Sequence, residues 1–496
     1  MRYYLGIDIG TFESKGCLVD EKGVIIANAT KSHKMIVPQA GWAEHRAEED
    51  WWGDFTFISK KLIAQSKVNP KGIKAVATSG IGPCMLPVDM HGTPLMKAVL
   101  YGVDTRAAKE IEELNVQIGK ERILDFCGNA LTSQSVGPKI LWLKKNRPDL
   151  YAKTHKILNC NSYLNFKLTG RYVIDHYSAS SSAPLYDPAN LCWSAALTKV
   201  IIALDKLPDC GWSTEIAGVV SEKAANETGL AVGTSVTFGT IDAAAEAISV
   251  GVLSPSDMMM MYGSTIFIIA LTKARVRDAR LWYAPWLFPG QHALMAGLAT
   301  SGTLTHWFRD NFAKELDAAT AAPTLTKEAM SSPPGANGLI TLPYFSGERT
   351  PIHDISAKGM IFGLNLTHTR ADMFRSVVEG IAFGTLHVLQ TFDEVGEEPQ
   401  NIFAVGGGTK NQVWSQATSD VSGKSQTLRE KSIGASYGNA FLAAIAVGDA
   451  KVNDINAWNP VVAKIEPQPQ TATTYSRQYE IFRELYKRNK DLMHAL

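Results

Sequence analysis

An apolar strand that ends in a turn of small residues and is followed at once by a second strand occurs twice in this chain of 496 residues. The first copy spans residues 5–19 with Gly10-Thr11 at its turn, and the second spans residues 258–271 with Gly263-Ser264-Thr265 at its turn. Each turn ends a buried strand with residues that leave backbone N–H groups accessible. We therefore expect two similar lobes with a boundary near residue 250.

The pattern around both turns indicates an α/β protein. Trp51, Phe55, Ile58 and Leu62 recur at spacings of three and four, which predicts a helix. The predicted strands are 3–9, 15–20, 24–29, 73–78, 85–88, 156–159, 235–239, 258–262 and 266–271. Strands that first meander and then alternate with helices are typical of a sheet with an antiparallel edge.

Charge and cysteine content exclude several classes of protein. The formal net charge is +1, so we expect neither nucleic acid nor a membrane as a partner. The six cysteines show neither C-x-x-C nor zinc spacing, which is typical of reduced thiols in the cytoplasm. Asp8 and Glu13 interrupt the N-terminal apolar stretch and argue against a signal peptide, and the apolar run 258–271 is too short to span a bilayer.

The two turns are candidate phosphate sites. Gly10 allows a tight turn whose N–H groups can cradle phosphate oxygens, Thr11 adds a hydroxyl donor, and Lys15 follows four residues later. Asp8, at the end of the preceding strand, could hold Mg²⁺ through water. Taken alone, each turn is more typical of an ordinary hairpin, whereas two turns in matching places on two lobes can grip a polyphosphate.

Asp242 is the candidate general base. It follows a predicted strand and begins an alanine-rich helix, so an ordinary helix N-cap remains an alternative. The small neighbours Ala243, Ala244 and Ala245 leave room for a substrate beside the carboxylate.

A run of three glycines, Gly406-Gly407-Gly408, lies between a predicted strand and a helix and precedes Asn411. Such a run lets a flat ring approach the backbone, although a plain loop is the alternative. The chain lacks G-x-x-x-x-G-K-[ST], a complete dinucleotide fingerprint and H-E-x-x-H. Gly434 to Gly438 fits G-x-S-x-G, but no buried strand precedes it. ATP would have to bind through the two turns.

These segments resemble the FGGY family of carbohydrate kinases from Leu5 to about Ala444. The most specific match is GMIFGL at 359–364, followed after seven residues by DMFRSVVE at 372–379. SGERTP at 346–351 and GWAE at 41–44 resemble the xylulokinase branch, whereas only the second half of another family signature matches, around 138–143. The resemblance implies two ribonuclease H-like lobes of the actin/Hsp70/sugar-kinase fold with a central cleft. It assigns 1–248 to the sugar side with the base and 249–496 to the nucleotide side.

The resemblance also implies ATP and Mg²⁺ as cofactors and a small sugar or polyol as substrate, with a homodimer left open. Asp242 resembles the catalytic base and Asp8 the metal residue. The residues that match nucleotide-binding positions are Gly10, Thr11, Lys15, Gly263, Ser264, Thr265, Gly302, Gly407, Gly408 and Asn411. The residues that fall on the sugar side are Gly82, Pro83, Cys84, Asp104 and Asp242.

Two departures from the xylulokinase pattern affect the predicted substrate. Gly82-Pro83-Cys84 replaces Met-His-Gly, and Ala243 replaces an Asn or Gln after the base. Both changes remove hydrogen-bonding side chains, which favours a different hydroxyl pattern. D-xylulose is the first hypothesis, and another polyol, sugar alcohol or aldonate is the second. Hypotheses of other classes are an actin- or Hsp70-like ATPase and a non-catalytic regulator.

Overall fold

The computed structural model describes all 496 residues, and the chain divides into two compact units. The first unit contains Met1–Leu253, Ala274–Ala293 and Ile433–Pro460. The second contains Ser254–Lys273, Leu294–Ser432 and Val461–Leu496. Two later segments of the chain therefore return to the first unit, which hydrophobic periodicity does not reveal.

The first sheet is a mixed sheet with an antiparallel edge, as predicted. Its strands are β1 (Tyr3–Ile9), β2 (Glu13–Asp20), β3 (Ile25–Ser32), β4 (Ile73–Gly80), β5 (Ile216–Val219), β6 (Ser235–Thr237) and β7 (Thr240–Ile241). The order is β3-β2-β1-β4-β6-β5, with β7 also paired to β4. The strand β2 is antiparallel to both of its neighbours, β1 and β3, while β1, β6 and β7 run parallel to β4.

The second sheet repeats this topology. Its strands are β8 (Asp257–Tyr262), β9 (Ile266–Thr272), β10 (His292–Leu298), β11 (Asn401–Val405), β12 (Gln426–Arg429) and β13 (Val461–Ile465). They follow the order β10-β9-β8-β11-β12-β13, and the short strand Trp282–Pro285 pairs with β10 at the edge as the seventh strand. The hairpin β8-β9 and the parallel pair β8-β11 correspond to β1-β2 and β1-β4. The internal repeat predicted from the two turns is therefore confirmed.

Helices and short strands complete the two units. The numbered helices are α1 (Gly53–Ser66), α2 (Val136–Asn146), α3 (Cys160–Thr169), α4 (Asp242–Ser249), α5 (Gly302–Phe312), α6 (Arg370–Glu394), α7 (Gln412–Ser422), α8 (Ala435–Ala446) and α9 (Ala472–Ala495). The other α-helices are Ala108–Leu114, Lys120–Cys127, Pro148–Lys153, His176–Ser180, Ala195–Ile201, Glu222–Thr228, Ala321–Ala329 and Ile455–Trp458. The short strands are Glu44–His45, Leu86–Val88, Ala98–Val99, Lys156–Leu158, Val173–Asp175, Tyr186–Asp187, Cys192–Trp193, Asp209–Gly211, Trp282–Pro285, Ile340–Leu342 and Met360–Phe362. None of the helices combines the length and the apolar character needed to cross a bilayer.

The core of the first unit fixes the position of β1. The predicted apolar stripe of α1, including Phe55, Ile58 and Leu62, is fully buried in the same cluster as the apolar residues of β1. Helix α8 approaches β1 so closely that a Cβ atom on Gly6 would lie 1.9 Å from the carbonyl oxygen of Ser436. Only glycine permits this backbone approach. The contact fixes β1 at Gly6, two residues before Asp8.

Candidate active site

Three strands of the first sheet bring polar residues to one edge. In the parallel register, Asp8 of β1 lies opposite Ser79 of β4, and Gly80 lies opposite Ile241 of β7. Asp242 follows β7 directly and is the first residue of α4. Ligands of α/β sheets bind at the carboxyl ends of parallel strands, so this edge is the candidate site of the first unit.

One oxygen of the Asp8 carboxylate is fixed by a chain of hydrogen bonds. The Ser79 hydroxyl donates to Asp8 Oδ1 over 2.6 Å. The amide of Asn439 donates in turn to Ser79 Oγ over 2.7 Å and to the Ile7 carbonyl over 3.0 Å. Burial raises the pKa of Asp8 to about 6, against the opposing effects of Ser79 and Lys15. A cation would offset this desolvation, so the free oxygen of Asp8 suits a divalent metal.

Asp242 lies in a strongly negative environment. Burial raises the pKa of Asp242 well above its usual value, and the negative charges of Asp8 and Glu246 raise it further. The backbone N–H of Ala243 donates to Asp242 Oδ1 over 2.7 Å and opposes the shift. A carboxylate that binds a proton this readily can act as a general base, provided that a nearby cation keeps it ionised in the resting state.

Glu246 is a charged residue of this site that the sequence analysis did not select. It follows Asp242 by one helical turn of α4, so the two side chains share a face, and this spacing was the available signal. Burial and the charge of Asp8 raise the pKa of Glu246 to about 7. Its carboxylate accepts a hydrogen bond from the backbone of Ala435 at the start of α8.

The predicted sugar-side residues Gly82, Pro83 and Cys84 lie beside Asp242 but offer few donors. A Cβ atom on Gly82 would lie 2.7 Å from the Ile241 side chain, so this backbone packs directly against β7. Pro83 has no N–H group. The buried Cys84 thiol donates to the Ile81 carbonyl over 3.2 Å, inside its own loop.

The structure does not place Asp104 where a sugar can reach it. Its side chain has no exposed surface, and it accepts hydrogen bonds from the Ala43 N–H at 2.7 Å and from the guanidinium of Arg106. Arg106 also pairs with Glu44 and lies 3.8 Å from the ring centre of Trp42. The expected sugar contact of Asp104 is therefore corrected to a structural ion pair, because both carboxylate oxygens are buried and already have partners within the protein.

The first turn places Lys15 opposite Asp8 in the β1-β2 ladder. The Lys15 side chain is about half exposed and forms an ion pair with Glu13 at 3.5 Å. The Thr11 hydroxyl lies 3.4 Å from that of Tyr101. Gly10 closes the turn by donating its N–H to the Glu13 carbonyl. Thr11 thus lies on the turn that follows Asp8, and Lys15 lies on the strand β2 that leaves it.

The predicted nucleotide residues of the second unit converge in the same way. Gly302 donates its N–H to the Gly263 carbonyl over 3.0 Å, and a Cβ atom on Gly302 would lie 2.4 Å from that oxygen. Ser264 accepts hydrogen bonds from Ser301 and Thr303, which anchors the start of α5 to the turn. The turn therefore has a rigid backing, while Ser264 and Thr265 retain accessible surface.

The triple glycine lies at the edge where β8 and its parallel neighbour β11 both end. A Cβ atom on Gly408 would clash with Trp414 at 2.5 Å, whereas one on Gly407 would meet no atom within 4 Å. Asn411 caps α7 by accepting a hydrogen bond from the Trp414 N–H. Gly407 is therefore the open position against which a flat ring can lie.

Comparison with known proteins finds relatives along nearly the whole chain. The N-terminal domain profile of the FGGY family of carbohydrate kinases matches residues 3–249, and the C-terminal domain profile matches residues 258–447. The chain is 28% identical to a xylulose kinase of Bacillus subtilis (strain 168), covering 100% of this chain and 99% of that protein. The crystal structure of a xylulose kinase from Rhodospirillum rubrum, 29% identical, superposes with a TM-score of 0.92 over 99% of this chain and 100% of that one. A gluconate kinase from Lactobacillus acidophilus, 22% identical over 98% of each chain, shares the fold with a TM-score of 0.90.

Proposed function

The chain belongs to the FGGY family of carbohydrate kinases and is an ATP-dependent sugar kinase of the xylulokinase type; we propose that it phosphorylates a small ketose or polyol. The observation that carries the proposal is the pair Asp8 and Asp242 at one sheet edge, next to a loop that is poor in donors. An actin- or Hsp70-like ATPase has no need of a base at Asp242, and a non-catalytic regulator has no need of the pair.

In the proposed reaction, Asp242 accepts the proton of the sugar hydroxyl as that oxygen bonds to the γ-phosphorus of ATP. ADP leaves with the electron pair of the broken P–O bond. Little covalent chemistry falls to the protein in such transfers, so positioning and charge neutralisation dominate. The raised pKa of Asp242 supports this role, because a stronger base takes the proton more readily.

The residues fit Mg²⁺ as the cofactor. Asp8 has one oxygen fixed by Ser79 and one without a protein donor, and the negative charge of Asp8 adds to the effect of burial in raising the pKa of Asp242. Asp8 would hold the ion, through water as Mg²⁺ prefers. When bound, the ion neutralises phosphate charge.

We assign the nucleotide to three groups of residues. The turn at Gly10 and Thr11, with Lys15, and the turn at 263–265 would bind the phosphates, because small residues leave their N–H groups accessible. Gly302 supports the second turn, and Gly407, Gly408 and Asn411 would face the adenosine. In this proposal, residues 1–248 supply the sugar site and the base, and 249–496 supply most of the nucleotide site.

We further place the protein in the cytoplasm with a small sugar or polyol and ATP as its ligands. Free cysteines in the structure support a reducing compartment. A homodimer is compatible with this proposal, and sedimentation of the purified protein measures it.

Gly407→Val should weaken MgADP binding by about tenfold or more while leaving the fold intact, because the Cβ position is open but lies where a ring would stack. Gly407→Ala, with a smaller side chain, is the matched control, and its MgADP affinity should lie between those of the wild type and Gly407→Val. Calorimetric titration with MgADP and thermal unfolding measure the two effects. Unchanged MgADP affinity in a folded Gly407→Val protein would remove the adenosine assignment.

We predict that D-xylulose is turned over less efficiently than another ketose or polyol. Gly82, Pro83 and Ala243 provide no side-chain donor, and the Cys84 thiol is bonded within its loop. A buried hydroxyl without a partner costs about 1–3 kcal/mol, or roughly 5- to 150-fold in relative efficiency. Coupled ADP-release assays over ketopentoses, pentitols, tetritols and aldonates give the kcat/KM ranking.

The double variant Pro83→His with Ala243→Asn should shift this ranking toward D-xylulose, since it returns donors to the two positions. A wild-type kcat/KM for D-xylulose above that of every other compound in the screen contradicts the prediction. ATP hydrolysis that no sugar or polyol stimulates contradicts the proposed function itself.

A further inference from the structure

Two carbonyl groups of the turn between β1 and β2 point at buried imidazoles. His33 Nε2 lies 3.0 Å from the Gly10 carbonyl oxygen, and His45 Nε2 lies 3.1 Å from the Thr11 carbonyl oxygen. A carbonyl oxygen only accepts hydrogen bonds, so each of these ring nitrogens carries a proton and donates it. The backbone of the turn is therefore held at two successive peptides.

This clamp sets the direction of the neighbouring N–H groups. In a trans peptide the C=O and the N–H of the next residue point in opposite directions. With the Gly10 and Thr11 carbonyls drawn toward the imidazoles, the N–H groups of Thr11 and Phe12 point away from them. Neither N–H finds an acceptor in the protein, and Phe12 is exposed. Two successive free N–H groups form a concavity that binds anions.

The other nitrogen of His33 faces a carboxylate. His33 Nδ1 lies 2.8 Å from Asp54 Oδ2, and both side chains are almost completely buried. Ser14 donates to the same Asp54 carboxylate at 2.7 Å, and Lys31 pairs with it at 2.8 Å. Burial acts to raise the pKa of Asp54, but the hydrogen bonds from His33, Lys31 and Ser14 outweigh it and lower that pKa. Asp54 is thus an ionised acceptor, and His33 donates from both nitrogens as an imidazolium.

His45 is neutral by the same reasoning. The indole N–H of Trp51 donates to His45 Nδ1 over 3.1 Å, so this nitrogen carries no proton. Burial, followed by the charge of His33, lowers the pKa of His45 to about 4. The two rings meet edge to face at 4.9 Å. Lys31 and His33 together carry two positive charges against the one of Asp54, which leaves net positive charge behind the turn.

We propose that His33 is a positioning residue for phosphoryl transfer, which ties the Gly10 carbonyl to Asp54 and places a buried positive charge behind the N–H groups that receive the polyphosphate. His45 holds the next peptide without adding charge. This inference rests on the proposed role of the turn in binding the phosphates of ATP.

The test is the variant His33→Gln, whose single amide is neutral and reaches either the Gly10 carbonyl or Asp54 but not both. Its MgADP affinity should fall by about ten- to a hundredfold, the usual effect of a lost charge-assisted hydrogen bond. Its affinity for adenosine, which has no phosphate, should stay at the wild-type value. Calorimetry with both probes on the full chain measures the split, which a merely structural role would not produce.

His494→Gln is the matched control, because His494 also pairs with a carboxylate, that of Asp354 at 2.7 Å, but on the C-terminal helix. It should bind MgADP like wild type. Asp54→Asn should reproduce the His33→Gln defect, and the double variant should be less than additive because the two groups act together. In a long-range ¹H–¹⁵N spectrum, the ring signals that disappear in His33→Gln should show both nitrogens protonated.

Wild-type MgADP affinity in His33→Gln overturns the inference, as does an equal loss for MgADP and adenosine. If the spectrum shows only one protonated ring nitrogen on His33, the imidazole is neutral and the proposed positive charge behind the turn is contradicted. Failure of the wild-type chain itself to bind MgADP counts against the proposed function and is distinguished from these results.

Discussion

Asp242→Asn lowers turnover by about 10²–10⁴-fold, the usual contribution of a general base, while MgADP affinity stays at its wild-type value and thermal stability does not fall. The amide has nearly the same shape as the carboxylate. Its oxygen still accepts the Ala243 N–H that the carboxylate accepts at 2.7 Å, so the start of α4 is preserved. The variant loses only the ability to take the sugar proton.

The electrostatics of the site predict that this variant does not unfold. Asp242 carries a charge that burial, Asp8 and Glu246 all disfavour. Removing the charge relieves that repulsion, so any change in stability should be toward a more stable protein. Steady-state ADP release with the best acceptor measures turnover, and Asp149→Asn, at an exposed helix start, is the control. Retention of more than about a tenth of the wild-type rate would show that Asp242 is not the base.

Gly6→Ala destabilises the first unit by about 3 kcal/mol, at the upper end of the usual cost of overpacking. The new Cβ atom would lie 1.9 Å from the Ser436 carbonyl oxygen and 2.5 Å from the Ala440 nitrogen, which are both backbone atoms of α8. Neither can rotate away as a side chain would. Either β1 or α8 has to move.

Helix α8 has little freedom to make that movement. A Cβ atom on Gly438 would lie 1.9 Å from the Ala245 carbonyl, so α8 is already in backbone contact with α4. Asn439 of α8 is hydrogen bonded to Ile7 and Ser79, which links the helix to the support of Asp8. We therefore expect Gly6→Ala to lower kcat as well as stability.

Chemical denaturation followed by tryptophan fluorescence measures the loss, analysed transition by transition because a chain with two compact units need not unfold in one step. The control is Gly53→Ala at the start of α1, where the new Cβ would meet one atom at 3.3 Å. Higher helix propensity should keep this control at or above wild-type stability. A Gly6→Ala protein as stable as wild type would show that the contact relaxes easily.

Local patterns predicted the elements that bury a continuous apolar surface. The strand over residues 3–9 and the buried stripe of α1 were predicted at their observed places, because alternation and three-to-four spacing follow from which face meets the core. The short strand Ala98–Val99 was not predicted. A two-residue strand carries no periodicity and forms only because Glu44–His45 lies beside it.

The residues of the candidate site likewise fall into those that local sequence pattern predicted and those that depend on the fold. Asp242 and the two turns were selected because a carboxylate or small residues at a strand end are visible along the chain. Glu246 was missed although its spacing was visible, and His33 was missed because its role depends on Asp54 and Gly10, which are distant in sequence. Asp104 was placed on the sugar side by the family resemblance, and only the fold shows that the Ala43 N–H and the neighbouring Arg106 use its oxygens.

The amino-acid sequence by itself determined the duplicated strand-turn-strand plan, the α/β class and the residues that can accept a proton or receive a phosphate, since these depend on neighbours a few positions away. The tertiary structure decided which of those residues are available. Pairing between distant strands brought Asp8, Ser79 and Asp242 to one edge. Burial then raised the proton affinity of Asp242 and enclosed the carboxylate of Asp104, whose oxygens pair within the protein. Both effects depend on what the folded chain packs around each group, because packing sets desolvation and hydrogen-bond partners.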